Sequence, residues 1–254
     1  MGIKQILLSV VAMCGIVGAG AKPATEVVAH RGYWKAEGSA QNSVASLKKA
    51  IEIGARGSEC DVYITTDGVV VVHHDPTIDG KRIDESTYAA LKDCKLSNGE
   101  AIPTLDELLA IARKQKHTKL IIEIKSHNTQ EKEAAAVDAV LKLVKKNKMD
   151  KLVEYISFSQ NVCERLIALS PKAKVAYLGS DLTPKQLSDK GYTGLDYHIG
   201  AMRAHEEWFD EAKQLGLEVN VWTVDDEPNM KWLIGKGVTY ITDEPVMLQK
   251  LLAE

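Results

Sequence analysis

The chain has 254 residues, 45% of them hydrophobic, and a formal net charge of −3 at pH 7. This size and composition fit one globular domain with a sizeable core. The near-neutral charge excludes the extended basic surface typical of nucleic-acid binding, so no nucleic-acid partner is expected. Any recognition of phosphate must therefore come from a few residues in a pocket.

The first stretch of the chain has the pattern of a signal peptide. A positive charge precedes an apolar run from Ile6 to Val17, and Ala19-Gly20-Ala21 matches a small-x-small cleavage site. The run is short for a membrane span, so no stable span is expected. Residues 1–21 are predicted to be a signal peptide, residues 22–254 the mature domain, and the protein periplasmic or secreted. A lipoprotein anchor at Cys14 is the alternative.

Beyond this segment, strand-like and helix-like stretches alternate. The strand candidates are Glu26–His30, Gly57–Asp61, Val69–His73, Lys119–Ile124, Glu154–Phe158, Lys174–Leu178, Gly194–Tyr197, Glu218–Trp222 and Thr239–Thr242. The predicted helices are Ser43–Ile53, Thr104–Lys114, Gln130–Lys145, Gln160–Leu169, Pro184–Lys190, Glu206–Leu215, Glu227–Gly235 and Pro245–Leu252. Such alternation implies parallel strands and an α/β fold, and the chain length suits a single (β/α)8 barrel.

Nine strand candidates exceed the eight that a barrel needs. Thr65-Thr66-Asp67-Gly68 reads as a turn and leaves no room for the crossover that parallel neighbours require. One segment between Asp61 and His74 is therefore predicted to be antiparallel or irregular, and Gly194–Tyr197 is the other doubtful strand. The polar stretch between Pro76 and Pro103 is interpreted as a small insertion over the barrel mouth, after the third strand-like segment.

Acidic residues follow or end two of these strands. Glu59 and Asp61 are two residues apart, so both carboxylates face one side of their strand, and Glu123 lies near the end of another strand. Like charges this close are costly without a cation. Three carboxylates without cysteine or an obvious histidine ligand favour calcium or magnesium over zinc. Ion pairs with basic neighbours such as Arg31 and Lys125 are the structural alternative.

Two histidines, His30 and His74, each close a valine-rich strand. A lone histidine there is commonly a packing residue, but two at one rim, beside acids, form an acid/base pair suited to neutral pH. Asp75 can orient His74 or cap the following turn, and capping is the favoured interpretation. His73 is expected to face away from His74, and His198 lies near a possible strand end.

Basic and aromatic side chains complete the candidate site. Arg31 offers a planar fork of donors for phosphate oxygens, and Lys125 offers a point charge. Trp222 and Phe158, also at strand ends, can line the carbon skeleton of a substrate or simply pack on the barrel top.

The motifs occur in an order that resembles a known family. They are His30-Arg31-Gly32, Glu59-Cys60-Asp61, His74-Asp75-Pro76, Glu123-Ile124-Lys125, Trp222-Thr223-Val224 and Thr242-Asp243-Glu244-Pro245. Together they look like the glycerophosphodiester phosphodiesterases, and they span nearly all of the predicted mature chain.

The resemblance implies a TIM-type barrel with an insertion after His74-Asp75-Pro76. It implies one divalent cation, Ca²⁺ or Mg²⁺, held by Glu59, Asp61 and Glu123, with His30 and His74 as the catalytic acid/base pair. Arg31, Lys125 and Trp222 are the predicted substrate-binding residues. The expected reaction is hydrolysis of a small glycerophosphodiester to sn-glycerol 3-phosphate and an alcohol.

One departure from the family pattern concerns the segment after the first motif. Many members carry Pro-Glu-Asn-Thr where this chain has Ala40-Gln41-Asn42-Ser43, so Gln41 removes a negative charge near the site. Asn42 and Ser43 can still cap the next helix, and the longer segment Tyr33–Ser39 is expected to shape substrate access.

Two other functions fit the sequence. An exposed apolar rim would favour a phospholipase-like barrel that acts on intact lipids, but the segments at the predicted mouth are mainly polar. A non-catalytic ligand-binding barrel would be expected to lack a histidine or an acid, and this chain keeps both histidines and all three acids.

Overall fold

The computed structural model describes residues 25–254, so the predicted signal peptide and Cys14 lie outside the described residues. The strands are β1 Glu26–Ala29, β2 Gly57–Ile64, β3 Val70–Val72, β4 Thr77–Ile78, β5 Lys81–Arg82, β6 Lys119–Ile124, β7 Val153–Ser157, β8 Val175–Tyr177, β9 Gly194–His198, β10 Glu218–Trp222 and β11 Thr239–Thr242. The helices are α1 Val44–Glu52, α2 Tyr88–Leu91, α3 Leu105–Ala112, α4 Gln130–Asn147, α5 Gln160–Leu169, α6 Pro184–Asp189, α7 Ile199–Ala204, α8 Glu207–Leu215, α9 Glu227–Ile234 and α10 Pro245–Ala253. No helix within 25–254 is long and apolar enough to cross a membrane.

Eight parallel strands form a closed barrel, which confirms the predicted fold class. Their order is β1, β11, β10, β9, β8, β7, β6 and β2, and β2 pairs again with β1. Closure places the end of the first strand beside the end of the last, because Ala29 pairs with Thr242. The carboxyl ends of all eight strands therefore meet at one rim. Gly194–His198, the doubtful candidate, is a barrel strand.

The strand candidate in excess of the eight barrel strands is Val69–His73. It forms β3, which is antiparallel to β2, as the short turn between them requires. β3 pairs with β2 through Val62↔Val72, Tyr63↔Val71 and Ile64↔Val70. The insertion follows β3 and contains the hairpin β4–β5, a 3₁₀ turn at Ile83–Glu85 and helix α2. It has a small core of its own, built from Tyr63, Val71, Ile78, Ile83, Leu91, Cys94, Leu96 and Ile102. This core gives the polar stretch a fixed position on the β2–β3 hairpin.

The barrel interior combines a thin apolar layer with buried acids. Alternate strand residues point inward, and the apolar ones include Val28, Ile121 and Ile156. Their outward neighbours, such as Ile122 and Tyr155, pack beneath the helices in the larger core. Cys60 faces outward into that core, as its place between two inward acids predicts.

One inward acid, Glu154, is fully paired at the end of the barrel opposite the candidate site. Its carboxylate accepts hydrogen bonds from Arg56 Nη1 at 2.6 Å, Arg56 Nη2 at 3.0 Å and Lys119 Nζ at 2.5 Å. Burial alone would raise the pKa of Glu154, but Arg56 and Lys119 outweigh burial and lower it.

We expect Glu154→Ala to destabilise the protein by about 3–5 kcal/mol, because Arg56 and Lys119 would be left without their buried partner. Urea unfolding at pH 7 measures this loss. Glu26→Ala is the control, because Glu26 pairs with the same Arg56 from an exposed position and should cost less than about 1 kcal/mol. The lowered pKa sets the sign of the pH dependence: the stabilisation is complete above the unfolded pKa of Glu154 and is lost as pH falls through the folded value. Equal costs for the two variants would contradict the prediction.

Candidate active site

Three acids meet at the rim because two neighbouring strands carry them at the same level. Glu59 and Asp61 both point inward from β2, and Asp61 is the register partner of Glu123 on β6. One oxygen from each of the three carboxylates lies within 4.8 Å of the others. All three residues are buried, with exposures of 2%, 1% and 8%.

Hydrogen bonds from neighbouring groups reach both oxygens of Asp61 and one oxygen of Glu59. Asp61 accepts hydrogen bonds from Asn42 Nδ2 at 2.8 Å and Lys125 Nζ at 3.1 Å. Lys125 Nζ also lies 2.8 Å from Glu123 Oε1. Glu59 Oε2 accepts the backbone N–H of Arg31 at 2.8 Å, whereas Glu59 Oε1 is buried and has no hydrogen-bond partner in the structure.

Electrostatics show that the cluster lacks positive charge. Burial, together with Asp61 and Glu123, raises the pKa of Glu59 well above its usual value. Burial and Asp61 raise the pKa of Glu123 to about 7. Asp61 alone has a lowered pKa, because Lys125 and Asn42 outweigh the effect of burial. One lysine does not neutralise three carboxylates, so the cluster suits an added cation.

The donor set fits a hard divalent ion. All three potential ligands are carboxylates, which Ca²⁺ and Mg²⁺ prefer. The unpartnered Glu59 Oε1 is an acceptor that a cation would satisfy, since buried polar atoms are rarely left without a partner. In residues 25–254 no other group of three potential ligands lies this close together.

Both predicted histidines line the same cavity, and each has a carboxylate on Nδ1. His30 Nδ1 lies 2.8 Å from Asp243 Oδ1, and His74 Nδ1 lies 2.8 Å from Asp75 Oδ1. Each ring therefore keeps Nε2 for the cavity. Burial lowers the pKa of His74, with Lys125 and Arg31 acting in the same direction. The favoured interpretation of Asp75 as a turn cap was wrong: its carboxylate orients His74.

A strained turn brings Arg31 to the site. Arg31 has φ 52° and Gly32 has φ 75°, both in the left-handed region. Only glycine fits at 32, because a Cβ there would lie 2.4 Å from Ser46 Oγ. The turn directs the backbone N–H of Arg31 to Glu59 and leaves the guanidinium facing the cavity.

Gln41, which stands in place of the glutamate of the family pattern, and its neighbour Asn42 contact this turn and the acids. Gln41 Oε1 accepts a hydrogen bond from Arg31 Nη1 at 2.6 Å, so a neutral amide holds the guanidinium. Asn42 binds Asp61 in both directions and does not cap α1, because Ser43 is the N-cap residue.

Aromatic and aliphatic side chains form the other side of the cavity. Trp222 is fixed by a hydrogen bond from Nε1 to the carbonyl oxygen of Asp196 at 2.9 Å. Its ring contacts Phe158 edge-on, at 5.6 Å between centroids, and Phe158 is 43% exposed at the rim. His198 packs against Trp222 at 5.1 Å and is not among the residues that line the cavity.

The structure brings all eight predicted site residues to one end of the barrel. Seven of them line a cavity of about 230 Å³. Asp61 lies behind this lining, where it accepts hydrogen bonds from the lining residue Lys125 and from Asn42. The cavity lining is His30, Arg31, Glu59, His74, Glu123, Lys125, Ile156, Phe158, Leu178, Trp222, Thr223 and Ile241. The roles of Asp243 and Gln41 were missed, although both lie within segments noted in the sequence.

Comparison with known proteins agrees with this geometry. Residues 30–247 match the model of the glycerophosphoryl diester phosphodiesterase family. A glycerophosphodiester phosphodiesterase from Caldanaerobacter subterraneus is 29% identical over 245 residues, covering 90% of this chain and 98% of that protein.

Solved structures extend the likeness. The crystal structure of a glycerophosphodiester phosphodiesterase from Parabacteroides distasonis is 49% identical, with a TM-score of 0.90, and the match covers 92% of this chain and 98% of that one. An Oleispira antarctica phosphodiesterase, solved with its product sn-glycerol-3-phosphate, is 25% identical with a TM-score of 0.79, covering 91% and 98% of the two chains.

The family match spans most of the chain, and the motifs on which the resemblance rests meet at one rim of the barrel. The chain therefore belongs to the glycerophosphoryl diester phosphodiesterase family, a family of phosphoric diester hydrolases.

Proposed function

We propose that this protein hydrolyses glycerophosphodiesters to sn-glycerol 3-phosphate and an alcohol. The observation that carries the proposal is a single cavity with two carboxylate-bound histidines beside a buried cluster of three acids. The Oleispira relative, with its bound product sn-glycerol-3-phosphate, supports glycerol phosphate as the half of the substrate that keeps the phosphate.

Glu59, Asp61 and Glu123 would hold one divalent cation, Ca²⁺ or Mg²⁺. When bound, such an ion supplies Lewis-acid polarisation of a phosphoryl oxygen. Lys125 lies between Asp61 and Glu123, where its ammonium group favours the ionised form of both carboxylates and lies at the cavity, beside the proposed phosphate position. The guanidinium of Arg31, held by Gln41, is the second cationic donor.

The histidine pair performs the proton transfers. One imidazole removes, through Nε2, the proton of the attacking water or glycerol 2-hydroxyl as its oxygen bonds to phosphorus, and the other protonates the oxygen of the alcohol as its bond to phosphorus breaks. Where the 2-hydroxyl attacks, water then opens the cyclic phosphate to sn-glycerol 3-phosphate, with the two histidines in the reverse roles. Because both Nδ1 atoms are occupied by carboxylates, both reactive nitrogens face the cavity. Arg31 and Lys125 then stabilise charge on the phosphoryl oxygens, and each well-placed donor contributes roughly 3 kcal/mol. The ring of Trp222 lines the position of the carbon skeleton.

Product analysis tests this function directly. Soluble glycerophosphodiesters of choline, ethanolamine, glycerol and inositol should each release sn-glycerol 3-phosphate in the presence of Ca²⁺ or Mg²⁺, followed by ³¹P NMR. Release of free glycerol and a phosphorylated alcohol would contradict the proposed cleavage position. Preferential hydrolysis of phospholipid vesicles would instead favour the phospholipase-like function.

We also propose that the mature domain, residues 22–254, is exported after removal of residues 1–21. The apolar run and the small-x-small site support this location. Mass spectrometry of the protein from cell fractions should find a new N-terminus near Lys22 in the exported fraction. A lipid-modified Cys14 would favour the anchor instead.

A further inference from the structure

Asp243, at the end of β11, connects His30 to the segment that follows the first motif. Its Oδ1 atom accepts a hydrogen bond from Trp34 Nε1 at 2.8 Å and lies 2.8 Å from His30 Nδ1. The same carboxylate oxygen therefore contacts both an aromatic N–H and the imidazole. This contact depends on barrel closure, since Asp243 and His30 are 213 positions apart in the chain.

The chemistry of these contacts sets the tautomer of His30. Burial would raise the pKa of Asp243, but the hydrogen bonds from His30 and Trp34 outweigh burial and lower it. An ionised carboxylate only accepts hydrogen bonds, so the neutral imidazole must carry its proton on Nδ1. The lone pair of Nε2 is then free on the cavity side, as proton abstraction requires.

The backbone and side chains around Asp243 also restrict its position. The backbone N–H of Asp243 donates to Asp225 Oδ1 at 2.8 Å, and Thr242 Oγ1 donates to the same atom at 3.0 Å. Lys35, next to Trp34, forms an ion pair with Glu244 at 2.5 Å. The segment that carries Trp34 is thus attached to the β11–α10 junction at two adjacent positions.

The second histidine has a weaker arrangement. Asp75 is the chain neighbour of His74, and their side chains are 67% and 38% exposed, against 18% and 19% for Asp243 and His30. Among the described residues 25–254, the Asp75 side chain has His74 as its hydrogen-bond partner and no counterpart of Trp34. The restricted position is therefore specific to His30.

We propose that Asp243 and Trp34 are positioning residues for the reaction, and that they hold His30 as the Nδ1–H tautomer with Nε2 directed at the substrate. The inference rests on the proposed function. It gives the segment Tyr33–Ser39 a second task beside shaping access, because Trp34 fixes the carboxylate on which the orientation of His30 depends.

Kinetics of Asp243→Asn and Trp34→Phe test the proposal. Asp243→Asn should lower kcat by about 10²–10⁴-fold with KM changed less than about 3-fold, because an amide can donate to Nδ1 and stabilise the wrong tautomer. Trp34→Phe keeps an aromatic side chain but removes the indole N–H, and should lower kcat by about 3–10-fold, the loss of one hydrogen bond. Asp138→Asn is the control, since its exposed carboxylate pairs with Arg165 on the outer helices.

A double-mutant cycle separates positioning from a merely structural role. If Asp243 acts through His30, the variant His30→Ala/Asp243→Asn should be no slower than His30→Ala alone. Multiplied losses would overturn the proposal. If Asp243→Asn does not fold, Trp34→Phe combined with His30→Ala gives the same comparison.

A spectroscopic readout is independent of turnover. ¹⁵N NMR of histidine-labelled protein, assigned with His30→Ala, should show His30 as the Nδ1–H tautomer in the wild type and shifted towards Nε2–H in Asp243→Asn. A wild-type Nε2–H tautomer would overturn the proposal. The expected tautomer in a protein that does not hydrolyse glycerophosphodiesters would refute the proposed function and leave the positioning intact.

Discussion

His30→Ala and His74→Ala are each expected to reduce kcat by about 10²–10⁴-fold, the usual contribution of a positioned acid or base. Both rings line the cavity, and neither is part of the hydrophobic core, because the His30 side chain is partly exposed and that of His74 is more exposed. The fold should therefore survive either substitution. Steady-state kinetics with glycerophosphocholine, alongside thermal unfolding, measures the two effects separately.

The choice of leaving group distinguishes the two roles. The p-nitrophenyl ester of glycerol phosphate releases p-nitrophenolate, which leaves without a proton. The variant lacking the acid should therefore regain most of its rate on that ester. The variant lacking the base should remain slow on both substrates. His205→Ala is the control, because His205 stacks on Trp208 and does not line the cavity. Near-normal rates in both site variants would refute the assignment of the pair.

Much of the fold follows from local sequence patterns. All nine strand candidates are strands, because short apolar runs alternate with amphipathic helices and the barrel repeats that unit. The length of the Thr65–Gly68 turn excluded a parallel crossover and predicted an antiparallel or irregular segment, and the structure shows the antiparallel one. Helix α7 was missed because it is short and follows β9 directly, with His198 as its N-cap.

The acids and histidines were predicted from their places at the ends of strand candidates, because strand ends share one rim in this fold. His30 and Glu123 do lie at the ends of barrel strands, whereas β2 continues past Glu59 and Asp61 to Ile64, and His74 follows the antiparallel β3. Their partners could not be predicted. Asp243 reaches His30 only after β1 pairs with β11, and Gln41 reaches Arg31 only because that turn takes positive φ. Asp75 was interpreted as a turn cap, in which its carboxylate would accept a backbone N–H. In the structure its carboxylate instead contacts the side chain of the preceding residue, His74.

The polar interior of the barrel also departs from simple alternation. Asp196 is fully buried, and burial, with Glu123 nearby, raises its pKa to about 8. Nothing in the periodicity of β9 distinguishes this inward acid from an apolar residue. The sequence pattern predicts which residues point inward, but it does not predict which inward acids find a cation, a lysine or neither.

The cation is expected to be indispensable. Chelation should abolish turnover, and Ca²⁺ or Mg²⁺ should restore it, because three buried carboxylates with one lysine leave the phosphate without adequate positive charge. Asp61→Asn should lower kcat by at least about 10²-fold, since it removes the charge of one ligand and replaces one of the two oxygens that accept from Lys125 and Asn42 by an NH₂ donor. Full activity in metal-free buffer would refute the role of the ion.

A stability measurement tests the same cation without turnover. Saturating metal at about 100 times Kd should stabilise the wild type by about 2.7 kcal/mol, which corresponds to roughly 5–10 °C in Tm for a domain of this size. Glu59→Gln should largely remove that shift. The same variant should raise the Tm of the metal-free protein, because Glu59 is buried with an unpartnered oxygen beside two other acids. Asp189→Asn is the control, because Asp189 pairs with Lys185 on an exposed helix. This variant should show the same metal-induced shift in Tm as the wild type. A Glu59→Gln protein that keeps the full metal-induced shift would show that the ion binds elsewhere, and the cluster would then be a structural set of ion pairs.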